Sequence, residues 1–193
     1  MADNPETLKN IKEKNKEKLN ISKSGKVRNF PRVYYEWVRD AKGMYAKTTM
    51  EKGVKKLVEG YEKYTGSDVK VQKNPGDPGT TLSKIDLEET YNIDKYISFV
   101  GQLMLYTTKV GPDVENAANE LAVIMSHPGP EHWKTLGLLI GYLKAKENKG
   151  IVVRKPKVLK YVMFCDLDYD TDKETRKSVS GLVATLAGTL LTC

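Results

Sequence analysis

The chain has 193 residues, of which 39% are hydrophobic and 30% charged, enough for one or two modest cores at roughly 100–200 residues per domain. Lys and Arg outnumber Asp and Glu by 32 to 25, a formal net charge of +7; this favours a polyanionic partner through attraction to phosphates and counterion release, set against the plainer reading of a lysine-rich solvated surface. Two cysteines, Cys165 and Cys193, exclude a disulfide framework and a CxxC metal site, which makes a reducing intracellular compartment the default.

Residues 4–20 are dense in Lys and Glu with Leu8, Ile11 and Leu19 as sparse apolar points, the pattern of a highly solvated basic helix. This charged start has no apolar stretch of a signal peptide. The segment 26–40 is rich in β-branched and aromatic residues, interrupted by Pro31, and predicts strand. Asp40-Ala41-Lys42-Gly43 predicts a turn and 44–49 a returning strand, so a β-hairpin is expected. Residues 50–64 place Val54, Leu57, Val58, Tyr61 and Tyr64 at helical spacing, with Gly66 as the stop. Asn74-Pro75-Gly76-Asp77-Pro78-Gly79 marks a loop, and the first region is expected to end near it.

Three helices are expected next. Residues 93–107 carry Tyr96, Val100, Leu103 and Met104 on one face; 113–125 follow Gly111-Pro112; 131–146 carry Trp133, Leu136, Ile140 and Leu143. Short linkers favour antiparallel packing into a small bundle. The tail turns to strand at 151–153 and 159–165 around a Lys155-Pro156 turn, then at 181–186 and 189–192. The apolar runs 97–106 and 182–191 are about half the ~20 residues a membrane helix needs, so no membrane partner is expected. A sheet that stops within a strand leaves an open edge, which predicts self-association through the C-terminal sheet.

Several motifs in one order over about half the chain resemble the copia-type retrotransposon reverse transcriptase family. The family run Y-x-S-x-V/I-G-x-L-x-Y stands here as Tyr96-Ile97-Ser98-Phe99-Val100-Gly101-Gln102-Leu103-Met104-Leu105-Tyr106, with the last Tyr displaced by one. The family R-P-D-I stands as Gly111-Pro112-Asp113-Val114, and P-x(3)-H-W then Y-L-K as Pro128, His132-Trp133 and Tyr142-Leu143-Lys144. The family S-D-A-D-W and R-K-S-T-S-G stand as Cys165-Asp166-Leu167-Asp168-Tyr169 and Arg176-Lys177-Ser178-Val179-Ser180-Gly181. Residues 26–66 are similar, more weakly, to the hairpin and helix that follow the polymerase catalytic strand. The family's leucine-glycine pairs around the first hairpin strand are replaced by Ser24-Gly25 and Pro31-Arg32. Scattered departures of this kind are what an element drifting without selection shows.

The resemblance implies an α+β chain: the C-terminal end of a palm with its hairpin and first helix over 1–72, a Pro/Gly linker over 73–92, a thumb-like helical bundle over 93–149, and an incomplete ribonuclease H-like β-sheet over 150–193. It implies that Asp166 is the first ribonuclease H carboxylate and, in an intact parent, a magnesium ligand. For this chain no cofactor is expected. Polymerase chemistry of the two-metal kind needs converging carboxylates, and no Asp-Asp dipeptide occurs anywhere in the sequence. A single Asp166 does not organise two metals either. The expected reading is therefore a truncated, catalytically inactive Pol fragment, with two alternatives: a sequence-independent module for RNA–DNA hybrids, and a fragment active once its missing segments are supplied.

Nucleic-acid contact is the one activity that truncation could leave behind, because phosphate contact needs only positive charge in rough position; the plainer and preferred reading is that the lysines concerned are ordinary solvated helix faces. The candidates are Lys52, Lys55, Lys56 and Lys63 on the first amphipathic helix, and Lys144, Lys146 and Lys149 late in the bundle. Other constellations are weaker. The alternating Asp166, Asp168, Asp170 and Asp172 lack the Gly and Glu of a calcium loop, with Thr171 and Lys177 in those places. His127 and His132 have no cysteine partner for zinc. Trp133 lies on the apolar face, so it reads as core rather than a base-stacking platform.

Overall fold

The computed structural model describes residues 4–19, 29–30, 32–76, 82, 91–156, 158–168 and 179–192. The first element, helix α1 (Pro5–Lys18), is capped by Asn4, whose side chain accepts from the Glu6 N–H at 2.9 Å. Proline sits in its first turn and Lys16 and Lys18 in its last, an arrangement that suits the helix dipole. None of its residues is buried, as its charge density predicts.

Strands β1 (Asn29–Phe30), β2 (Val33–Asp40) and β3 (Gly43–Thr49) form an antiparallel meander. The break between β1 and β2 falls where Pro31 is expected to disturb the strand, and Arg32 beside it takes a left-handed φ of 64°. The β2–β3 turn uses Gly43 at φ 112° and Asp40 Oδ1, which accepts from the Lys42 N–H at 2.9 Å.

The outer edge of β3 is closed by β4 (Gly150–Arg154), antiparallel, giving the order β1-β2-β3-β4. Here the sequence reading is corrected. Residues 151–153 do not open the C-terminal sheet by turning at Lys155-Pro156; they complete the hairpin's sheet. Three contacts explain the choice. Gly150 lets the backbone lie against Thr48, whose carbonyl carbon would stand 2.8 Å from any β-carbon there. The Thr48 hydroxyl donates to the Ile151 carbonyl at 3.1 Å. Arg154 forks onto Asp40 at 3.1 and 2.7 Å and lies over the Tyr45 ring at 4.2 Å.

Helix α2 (Glu51–Thr65) buries Val54, Leu57, Val58 and Tyr61 and ends at Gly66, whose φ of 69° and N–H bond to the Glu62 carbonyl at 2.9 Å make a left-handed cap. Helix α3 (Ile93–Thr107) starts on Asn92, which accepts from the Lys95 N–H at 3.0 Å. A single 3-10 turn (Pro112–Val114) leads into α4 (Glu115–Val123), and α5 (Pro130–Ala145) follows. Tyr142 donates to Asp113 Oδ2 at 2.6 Å and so ties α5 to that turn.

The apolar faces of α2, α3, α4 and α5 meet in one core that also takes Val33 from β2. Val54 and Tyr61 lie in the same cluster as Val100, Leu103, Leu136 and Ile140, so the expected boundary at 73–92 joins two parts of a single core. The physical reason is α2, whose apolar face needs a helical partner and finds α5 and α3.

Strands β5 (Tyr161–Asp168), β6 (Val179–Leu186) and β7 (Thr189–Thr192) form a second antiparallel sheet in that order. The β6–β7 turn has Ala187 and Gly188 at φ 53° and 76°, the backbone of a tight hairpin. Apart from Ala184 the sheet contributes no residue to the buried set among those described. The chain is thus α+β, helices with two small antiparallel sheets. Among the described residues no helix is long and apolar enough to cross a membrane.

Candidate nucleic-acid interface

The seven candidate lysines separate into two groups once their neighbours are known. Lys55 bonds Glu51 one turn back at 2.6 Å and lies 3.9 Å from Glu147. Lys144 reaches Glu62 at 2.8 Å and the Val69 carbonyl at 3.1 Å, while Glu62 also accepts from the Val69 N–H at 3.0 Å. Lys146 contacts the Tyr142 hydroxyl, lies over that ring at 3.7 Å and stands 3.5 Å from Asp113 Oδ2. Lys144 thus ties α5 to α2, Lys55 joins α2 to Glu147 beyond α5, and Lys146 joins the end of α5 to the Pro112–Val114 turn. The Lys144 ammonium and then the Val69 N–H hold the Glu62 carboxyl below the usual carboxylate range.

Lys52, Lys56, Lys63 and Lys149 are exposed and make no ion pair among the described residues. The structure brings two of them together. Lys52 and Lys56, one turn apart on α2, line a cleft of about 690 Å³ between α2, α3 and the start of β2. A third cation, Arg32, joins them, and among the described residues no Asp or Glu lines the cleft. Lys63 and Lys149 lie outside it.

Two elements set the cations in place, the β1–β2 break and helix α2. Arg32 follows the β1–β2 break. Lys52 sits over the Tyr34 ring at 5.0 Å, and its pKa is raised chiefly by a hydrogen bond with the Tyr34 side chain. Lys56 is carried by the exposed face of α2. The opposite wall is α3, with Ile97, Ser98, Gly101 and Gln102; Gln102 Nε2 donates to the Ser98 carbonyl at 3.2 Å. Three positive groups converging on one cleft attract phosphate oxygens, and arginine binds them in a fork. The sequence reading missed Arg32, Tyr34 and the α3 wall. A signal for Gly101 was available, a glycine inside a strongly helical run.

Asp166 stands on β5 opposite Gly181 and is exposed. No group of three or more His, Cys, Asp or Glu side chains placed to hold a metal occurs among the described residues. Asp170, Asp172, Arg176, Lys177 and Ser178 lie outside the described residues. Buried His132 caps α5, its Nδ1 accepting from the Gly129 N–H at 2.8 Å, whereas His127 is exposed and touches Ser126 at 2.9 Å. Trp133 packs against the core, stacked on Tyr64 with ring centroids 5.0 Å apart and edge-on to Tyr96 at 5.4 Å.

The chain is 29% identical over 92 residues to a retrovirus-related Pol polyprotein from transposon RE2 of Arabidopsis thaliana, and 30% identical over 105 residues to one from transposon TNT 1-94 of Nicotiana tabacum. This is homology to copia-like retrotransposon Pol polyproteins. It spans 48% and 53% of the chain, but only 6% and 8% of those long polyproteins. A third relative, secreted RxLR effector protein 161 of Plasmopara viticola, is 32% identical over 93 residues, 48% of this chain and 66% of that protein. The matched part thus covers less than two thirds of each relative. No family model and no solved structure matches.

Proposed function

We propose that this retrotransposon-derived chain binds nucleic acid through its phosphates, independently of sequence, and does not itself catalyse phosphoryl transfer. The observation that carries the reading is the cleft where Arg32, Lys52 and Lys56 converge, with no carboxylate among its described lining residues. Phosphate contacts position a nucleic acid without reading its bases, and their strength falls with salt as counterions return. The net charge of +7 supplies the long-range attraction. The homology supports an origin in a Pol polyprotein, and the motif order in the sequence supports a place near the reverse transcriptase–ribonuclease H junction, with 93–149 as a thumb-like unit and the β5–β7 sheet as a ribonuclease H-like remnant. On this reading Asp166 serves a magnesium site only in an intact parent.

The test is fluorescence anisotropy with a labelled RNA–DNA hybrid of mixed sequence. Binding at roughly 50 mM salt, lost progressively toward about 200 mM and indifferent to sequence, is the expected result. Absence of binding at the lowest salt overturns the reading. Cleavage of the hybrid by the pure chain, abolished by chelator and by Asp166→Asn, overturns its catalytic half.

A further inference from the structure

We infer that the Arg32–Lys52–Lys56 cleft takes a single strand, one or two nucleotides at a time, in preference to a duplex; this rests on the phosphate-binding reading above. Three observations carry it. The first is size. At about 690 Å³ the cleft falls in the range of roughly 300–1,000 Å³ that encloses small ligands. It holds a nucleotide and part of its neighbour. A duplex keeps its bases stacked inside and lays only a backbone across the mouth.

The second is the asymmetry of the walls. The cations stand on the hairpin and α2 side. The α3 side offers no charge: Ile97 is 44% exposed there, beside Ser98 and Gln102. A surface meant only for phosphates gains nothing from an apolar and amide wall. A splayed strand uses both, with phosphates on the cations and the sugar or base against Ile97. Single-strand sites combine a basic track with a surface for unstacked bases in this way.

The third is Gly101. A glycine inside a helix is destabilising relative to alanine, and two ordinary reasons for one are not found among the described residues. Its φ is not positive. Among the described residues, a β-carbon built on it would meet no atom outside its own helix backbone within 4 Å, so no described packing contact demands the small residue. What its lack of a side chain does is keep the cleft open on the α3 side.

The experiment compares labelled oligonucleotides of about a dozen nucleotides, single-stranded DNA and RNA, with the matching RNA–DNA hybrid at one low salt concentration. The wild-type chain is measured beside Gly101→Leu, which fills the cleft with a good helix former, and circular dichroism checks that the variant is folded. The expected result is at least about tenfold tighter binding of the single strands, one unstacked base being worth that much. Gly101→Leu then weakens single-strand binding by about the same factor. Equal affinity of the wild-type chain for both forms overturns the inference and leaves phosphate binding standing, and needs no variant. A folded Gly101→Leu chain that binds single strands as well as wild type also overturns it. Failure of the wild-type chain to bind either form removes the underlying reading as well.

Discussion

The ring of Tyr106 occupies the space that a β-carbon on Gly111 would need; even its far ring carbon, Cζ, would stand 2.8 Å away. Tyr106 is buried at 4% exposure, and the Gly111 N–H bonds its carbonyl at 3.1 Å, so neither partner has room to retreat. Gly111→Ala should therefore destabilise the fold by about 1–3 kcal/mol, the usual cost of overpacking. Urea denaturation measures it. In a Tyr106→Leu background the same substitution should cost much less, a coupling that a double-mutant cycle reads directly. Additive effects would show that the two residues do not compete for space.

That pair also bears on what the sequence discloses. The tyrosine displaced by one and the glycine in place of arginine look like separate departures from the copia-type pattern, fit for an element drifting without selection. In the fold they are one accommodation. The helices were legible because their punctuation is local: Gly66 stops α2, Asn92 starts α3, and apolar faces repeat at helical spacing. The partner of β4 was not legible. Residues 150–154 pair with 45–49, about a hundred positions away, and alternation in a strand carries no address for its neighbour. The lysines misled for a related reason. Lys55, Lys144 and Lys146 look as available as Lys52 and Lys56 until Glu147, Glu62 and Asp113 arrive from other elements.

The division among those lysines should appear in binding. Arg32→Ala, Lys52→Ala and Lys56→Ala should each weaken nucleic-acid binding uniformly across sequences and lower the salt slope by about one. Lys144→Ala and Lys146→Ala should leave that slope unchanged. Salt titrations of hybrid binding for the five variants check this, and an equal loss from Lys144→Ala would move the interface onto α5.

Stability should fall in acid through Glu62. Its folded pKa is held below its ordinary value of 4.5 by Lys144 and by the Val69 N–H. A carboxyl depressed on folding stabilises the native state above its unfolded pKa, and that contribution disappears as pH drops through the folded value. Asp40, lowered chiefly by Arg154 from 3.8, acts in the same direction at slightly lower pH. Urea midpoints should thus be flat above about pH 6 and decline below about pH 4.5. Glu62→Gln should flatten the decline; an unchanged acid limb in that variant would assign it to other groups.

The β5–β7 sheet should drive self-association. Tyr161, Met163 and Phe164 on β5 are 56%, 52% and 63% exposed, and Leu182 and Val183 on β6 are 40% and 39% exposed. The register puts Met163 beside Ala184 on one face and Phe164 beside Val183 on the other, so both faces present apolar side chains. β5 also ends the strand order β5-β6-β7, and an apolar edge strand is a template for pairing. Each large side chain covered on association returns about 1.5–3 kcal/mol before the cost of immobilisation. Sedimentation velocity should show weight-average mass rising with concentration. Phe164→Lys, which puts charge on the edge strand, should shift that rise to higher concentration by about tenfold or more. The core is built from other residues, so the melting temperature of this variant should stay close to wild type. A chain that remains monomeric at every concentration, with or without the substitution, would mean that these faces are covered within one molecule.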